Sequence, residues 1–259
     1  MRSIDLNADL GEADNAEWAR NEAEMLLYIS SANIACGGHA GTRKSMRHMV
    51  RGAKEHGVLI GAHPSCPDKA NFGRKSMKLG KDILAEELKS SLLEQITTLA
   101  EIAAEEESFI SYVKPHGALY NDAVNDTQMA ELIAEIITAM DSQLIMMGAP
   151  NSEMGRAAER YGLSFIPEGF IDRRYTDKGH LQSRSIDGAV IEDQKARLIQ
   201  AKKLITMQSV TTASGKSLPI KVKTLCLHGD SSGAVETARL VRREIEALGI
   251  SVKAFAHVH

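Results

Sequence analysis

Short apolar runs alternate with longer amphipathic stretches along the whole chain. The short runs predict strands at 3–7, 32–36, 58–63, 110–114, 144–147, 163–167, 222–227 and 252–256. The stretches between them carry helical periodicity. The clearest is 82–106, where Ile83, Leu84, Leu88, Leu92, Ile96, Leu99 and Ala103 recur at three-to-four spacing, with Asp82 as the expected cap. Asp126 is expected to cap a second helix that has Met129, Leu132, Ile133, Ile136 and Ile137 on one face. Ser231 is expected to cap a last one, with Val241, Ile245 and Leu248 inside and Gly249 at its end. Gly57 and Gly162 stand where helices should stop before a strand.

Strand–helix alternation of this kind predicts a parallel sheet with helices outside. The 259 residues suit one domain spanning 1–259, since a single β/α barrel takes about 250 residues. The first strand–turn, DLNADLGE, lacks the glycine fingerprint of a dinucleotide fold, so a barrel of seven or eight strands is preferred to an open sheet. Two segments, 64–81 and 169–192, are long and polar with little periodicity. Loops of that length inside a compact domain are usually functional. Segment 208–221 reads as a surface excursion.

Composition narrows the partners. A net charge of −3 gives no reason to expect nucleic acid or an anionic membrane. No apolar run approaches the ~20 residues of a membrane span. The start, MRSIDLNADLGE, has an acid within five residues and no apolar signal core, which predicts a cytoplasmic protein. Three widely spaced cysteines, Cys36, Cys66 and Cys226, read as buried free thiols rather than a disulfide framework.

The chemistry-bearing residues collect at the C-terminal ends of predicted strands. Strand one leads to Asp5, Asn7, Asp9 and Glu12, strand two to Asn33, Gly37, Gly38 and His39, and strand three to His63. Strand four leads to Lys114 and His116, strand six to Glu168, Asp172 and Arg173, and strand seven to His228 and Asp230. In a parallel barrel these ends share the face that carries the active site. Gly37-Gly38 would let backbone approach a ligand there and offer His39 to it. Any one of these residues alone has a bland explanation. Asp5 could simply pin its strand, and His48, His56, His257 and His259 are read as structural. Several histidines and carboxylates on one rim are harder to explain that way. Three readings follow: a divalent metal activating water, a metal-free acid/base set with Lys114 and Arg173 binding an anion, or a non-catalytic ligand-binding subunit.

Six blocks carry a resemblance. DLNADLGE (5–12), NIACGGHAG (33–41), GAHPSCPD (61–68) with FGRK (72–75), VKPHGALYN (113–121), GFIDRRY (169–175) and LCLHGDSSGAV (225–235) together resemble the LamB/YcsF family, that of the A subunits of ATP-dependent 5-oxoprolinase. They span nearly the whole chain in order. Lys75, Cys66 and Gly169 depart from the usual pattern, where arginine, an aromatic and a hydrophobic residue are common; Arg74, Asp172, Arg173 and Arg184 match. The resemblance implies a distorted, seven-stranded parallel β/α barrel of the glycoside hydrolase/deacetylase type. It implies cleavage of 5-oxo-L-proline to L-glutamate coupled to ATP hydrolysis, with Mg²⁺ as the nucleotide's companion and with subunits B and C as partners. A homo-oligomer is left open, as is a bound catalytic metal, which would belong to a metal-dependent deacetylase or amide hydrolase. On this reading Asp9, His39, His63, Lys114 and His116 are the catalytic candidates, with Asp9 or His116 as base. Asn7, Glu12, Asn33, Gly37, Gly38, Arg74, Asp172, Arg173, Arg184, His228 and Asp230 are candidates for binding substrate or ATP. Segment 64–81 is expected to close over the mouth as a lid through Arg74.

Overall fold

The computed structural model describes residues 3–229 and 233–256. Asp230, Ser231, His257 and His259 lie outside the described residues. In chain order the elements are β1 (Ser3–Leu10), α1 (Ala16–Met25), β2 (Ser31–Ala35), α2 (Arg43–His56), β3 (Leu59–His63), α3 (Ala85–Glu105), β4 (Tyr112–Val113), α4 (Gly117–Ala123), α5 (Thr127–Met140), β5 (Ile145–Gly148), α6 (Glu153–Arg160), β6 (Phe165–Phe170), α7 (Gln194–Met207), β7 (Ser209–Thr211), β8 (Ser217–Pro219), β9 (Thr224–His228), α8 (Ala234–Ala247) and β10 (Ser251–Val252).

Seven parallel strands close into a barrel in the order β1, β2, β3, β4, β5, β6, β9 and back to β1. The length of β1 makes closure work. Its residues Asn7–Leu10 pair with β2, Asp5–Asp9 pair with β9, and Ser3 and Ile4 pair with β10, an eighth strand added at the bottom. Strand alternation then sorts side chains into two cores. Leu6, Ala8, Leu10, Ile34, Ile60 and Ala62 face outward into the apolar layer under the helices. A separate cluster of Leu59, Tyr112, Met147 and Ile166 fills the bottom of the barrel, where Phe255 packs edge-on against Tyr112 with ring centroids 5.2 Å apart. The chain after β10 therefore plugs one end, and only the other end opens.

Helix boundaries follow local chemistry. Asp126 caps α5 by accepting from Met129 N at 3.1 Å, as expected. Asp82 does not cap α3. That helix starts after Leu84, and Asp82 instead closes a preceding turn by accepting from Lys78 N. Gly57 ends α2 at φ +63°, a left-handed conformation natural to glycine. Segment 208–221 is more than an excursion: it forms the β7–β8 hairpin, and its Val210 and Ile220 are buried in the outer core. No helix among the described residues is long and apolar enough to cross a membrane.

Gly61 on β3 sits against the Tyr112 ring, and a Cβ there would overlap it. Tyr112 is fully buried and holds Asn33 through its hydroxyl, so it has little freedom to move aside. Gly61→Ala is therefore expected to destabilise the protein by about 1–3 kcal/mol through overpacking. A denaturant midpoint unchanged from wild type would contradict this.

Candidate active site

The site is built in layers up the barrel axis. Asp5, Asn7 and Asp9 alternate along β1 and point inward. Asp5 accepts from the Ser30 and Ser31 hydroxyls at 2.7 and 2.6 Å and from the Thr224 hydroxyl, so it pins β1 to its neighbours. Burial pushes its carboxyl up to about 6. Asn7 donates to Thr224, and Asn33 donates to both Asn7 and Asp9 at 2.7 Å while accepting from Tyr112. Asn7 and Asn33 thus hold Asp9 from below and do not line the cavity above it.

Lys114 crosses the barrel at the next level. Its Nζ lies 2.8 Å from Asp9 Oδ1, 2.9 Å from Glu168 Oε1 and 3.1 Å from Cys226 Sγ. Burial works against the ammonium, but Asp9, Cys226 and Glu168 hold its pKa well above the usual lysine value. Burial would likewise raise the Asp9 carboxyl, yet His63 and Lys114 pull it well below the usual carboxylate range. Both groups therefore stay charged across the physiological range.

The histidines can be read from their partners. His63 Nδ1 donates to the Lys114 carbonyl at 2.7 Å, and His116 Nε2 donates to the Phe72 carbonyl at 3.0 Å. His63 Nε2 and His116 Nδ1 then face each other at 3.0 Å, an arrangement that requires one proton between them. Burial, aided by His39 and His63, pushes His116 well below the ordinary histidine value. His63 Nε2 is also 3.4 Å from Asp9 Oδ2. Burial lowers His39 to about 3 against the pull of Asp9. The neutral His39 ring donates from Nε2 to Glu12 Oε1 at 2.9 Å and leaves its buried Nδ1 without a partner. The Glu12 turn is itself held by Glu22, which accepts from the amides of Glu12 and Ala13.

His228 differs from the others. Its Nδ1 donates to Asp172, 2.9 Å away, and its backbone amide donates to the same carboxylate. Its Nε2 points back toward Asp9 Oδ2 at 3.9 Å, too far for a hydrogen bond. Burial opposes the Asp172 charge, but His228 outweighs it and keeps the carboxyl below its usual value.

These groups line a cavity of about 450 Å³. Asp9, His63, Lys114, His116 and His228 line it together with Arg74, Arg173 and Arg184. Arg173 is buried, donates to the Gln182 carbonyl at 2.6 Å and is lowered to about 10, first by burial and then by Arg184. Segment 64–81 reaches over the site. Phe72 supplies the carbonyl that orients His116, and Gly73, at φ +61°, fits against His39 and His116, where a Cβ would collide. Arg74 lies 4.8 Å above the Phe72 ring. Lys75 is exposed and does not line the cavity.

Glu12, His39, His63 and His116 bring one potential metal-ligand atom each within 4.8 Å of one another. Three imidazoles and a carboxylate suit a borderline divalent cation such as zinc. The ring arrangement does not suit one. His39 and His116 are stacked, with centroids 3.6 Å apart and planes 2° from parallel. An imidazole ligates in its own plane, so an ion in the plane of one ring lies out of the plane of the other. As arranged, the cluster is held together by hydrogen bonds between His39 and Glu12 and between His63 and His116.

The structure thus brings Asp9, His63, Lys114, His116, Arg74, Arg173, Arg184 and His228 around one cavity. Asp172 stands behind His228, and Glu12 and His39 stand behind His116. Gly37 and Gly38 do not belong to it. They line a separate groove with Thr42 and Gln95, and Gly38 is bare because a Cβ would overlap Gln95 and Ser65. Asp230 is outside the described residues. Glu168, noted only as a strand-end residue, proves to be an ion-pair partner of Lys114. Nothing in the sequence singled out Tyr120 or Phe170, which also line the cavity.

Known proteins resemble the chain over its full length. It is 44% identical over 254 residues to the 5-oxoprolinase A subunit of Methylococcus capsulatus, covering 98% of this chain and 96% of that one. It is 40% identical to a 5-oxoprolinase A subunit of Agrobacterium fabrum, with 99% of each covered. A crystal structure of a lactam utilization protein from Thermus thermophilus superposes with a TM-score of 0.87 at 36% identity, covering 98% of this chain and 100% of that one. With residues 4–259 matching the family's sequence profile as well, the chain belongs to the LamB/YcsF family.

Proposed function

We propose that this chain is the A subunit of an ATP-dependent 5-oxoprolinase, which opens the ring of 5-oxo-L-proline to L-glutamate and works with subunits B and C. The observation that carries the reading is one cavity lined both by an Asp172-held His228 with the buried Lys114 and by three arginines. That lining suits a small anionic amide: the arginines match its carboxylate, and the acid/base groups match the chemistry of its ring amide.

A five-membered lactam is a stable amide. Transfer of the ATP γ-phosphoryl group to its oxygen, with Mg²⁺ accompanying the nucleotide, makes the former carbonyl carbon far more electrophilic. One water adds at that carbon and the C–N bond breaks, leaving an amine and an acyl phosphate. A second water releases phosphate and completes glutamate. His228 is the base for the attacking water, because Asp172 fixes its Nδ1 proton and leaves Nε2 open to the cavity. This revises the expectation for Asp9 and His116. Asp9 is held as a weakly basic carboxylate, and both nitrogens of His116 are engaged. The His63–His116 pair relays the proton taken up by the amine after the ring has opened. Lys114 stabilises negative charge developing at the carbon's oxygen. Arg74, brought over the mouth by segment 64–81, helps exclude water from the reactive phosphate.

Reconstitution tests the assignment. This chain alone is expected to release no glutamate, and all three subunits together are expected to release it with ATP cleavage. Full 5-oxoproline hydrolysis by B with C alone would defeat the proposal. Within the assembled enzyme, His228→Ala is expected to lower kcat by about 10²–10⁴ with little change in the Michaelis constant for 5-oxoproline. Turnover near wild type would remove His228 from the base role.

The second reading, a metal-dependent amide or acetyl hydrolase, draws on the Glu12, His39, His63 and His116 cluster. Elemental analysis of purified protein is expected to find no stoichiometric zinc, nickel or cobalt. A tightly bound metal that chelators remove together with activity would favour the second reading instead.

A further inference from the structure

Behind the main cavity lies a second one of about 240 Å³. Tyr120, Asn121, Phe170 and Leu181 line both, so the two compartments share a wall. Most of the inner compartment is apolar, formed by Val124, Ala149, Pro150 and Phe170. Two of its lining groups are polar and buried without hydrogen-bond partners. Glu168 is 1% exposed and Tyr120 is 3% exposed, and neither Glu168 carboxylate oxygen nor the Tyr120 hydroxyl has a hydrogen-bond partner. Lys114 Nζ lies 2.9 Å from Glu168 Oε1 as an ion pair, but its aligned hydrogen bonds go to Asp9, Cys226 and Asn7. Buried groups left in this state carry a free-energy penalty that a complementary ligand relieves.

The chemistry of the pair specifies that ligand. A carboxylate only accepts, and a phenol can donate. With Asp9 and Glu168 around one Lys114, the local charge is net negative, which disfavours an anion here and favours an N–H donor. A lactam is an amide locked cis, so its N–H and C=O lie on one edge and can meet an acceptor and a donor side by side. Its ring methylenes would rest on the apolar wall.

We infer that Glu168 and Tyr120 form an amide-edge recognition site, Glu168 accepting from the lactam N–H and Tyr120 donating to its carbonyl. The inference rests on the 5-oxoproline reading and adds the residues that select a lactam over other cyclic carboxylates. The substrate's own carboxylate then lies toward Arg173 and Arg184 in the outer compartment.

The probe is the lactone analogue of 5-oxoproline, in which a ring oxygen replaces N–H and the carbonyl remains. Affinities for lactam and lactone would be measured by calorimetry on the full chain and by competition in the assembled enzyme. Wild type is expected to prefer the lactam by about tenfold or more, because the lactone leaves Glu168 facing an acceptor. Glu168→Gln is expected to bring the two ligands within about threefold, since an amide can serve either ring atom. Tyr120→Phe leaves the charged cluster intact and is expected to weaken both ligands together, so the inference stays testable if Glu168→Gln does not fold. Equal affinity of wild type for the two ligands would overturn the inference, as would a folded Glu168→Gln with an intact lactam preference or a Tyr120→Phe with unchanged affinities. Each of those results leaves the 5-oxoproline reading standing. Binding of neither ligand, alone or in the assembled enzyme, would overturn that reading and this inference with it.

Discussion

The buried ammonium of Lys114 is the constraint around which the barrel interior is arranged. Removing a charge from water costs several kcal/mol even after the protein relaxes, so the group persists only with partners in place. Those partners come from different strands: Asp9 from β1, Glu168 from β6 and Cys226 from β9. Each contact therefore ties the β4 end to a distant strand. Loss of the ammonium would leave buried carboxylates uncompensated, at a typical cost of about 3–5 kcal/mol. The apolar plug of Leu59, Tyr112, Met147 and Ile166 closes the barrel beneath this level, so the charged layer faces ligand only from above.

Asp9 passes that constraint upward. One of its oxygens is held by Asn33 and Lys114, and the other faces His63 and, at longer range, His228. A fixed anion at this point favours protons on the histidines around it, while burial opposes them. His39 stays neutral, and His228 is turned toward its own carboxylate, Asp172. One carboxylate thus lies between the hydrogen-bonded His63–His116 pair and His228.

Loops supply the remainder. Segment 64–81 orients His116 through the Phe72 carbonyl, and the segment after β6 brings Arg173, Gln182 and Arg184 to the rim. The loops also set the sign of the mouth, which is cationic over an anionic floor.

Much of this was legible in the sequence. Alternation along β1 placed Asp5, Asn7 and Asp9 on one face, because a strand's side-chain period is two. Strand–helix order placed His63, Lys114, His116, Asp172 and His228 at one end, because parallel strands share their C-terminal ends. The six motif blocks identified the family. The tertiary structure decided what each residue does there. His116 and His228 look equivalent in sequence, and they differ because the Phe72 carbonyl and His63 occupy both nitrogens of one, while Asp172 occupies only one nitrogen of the other. Gly37 and Gly38 look like ligand-facing glycines, and Gly38 is bare for the sake of Gln95 on α3. Glu168 looks like one more strand-end acid, and it belongs to a buried charged cluster, since its partner Lys114 lies far away along the chain, just after β4. Local periodicity determines which face a residue occupies; the carbonyls and charges that meet it there come from strands that only closure of the barrel brings together.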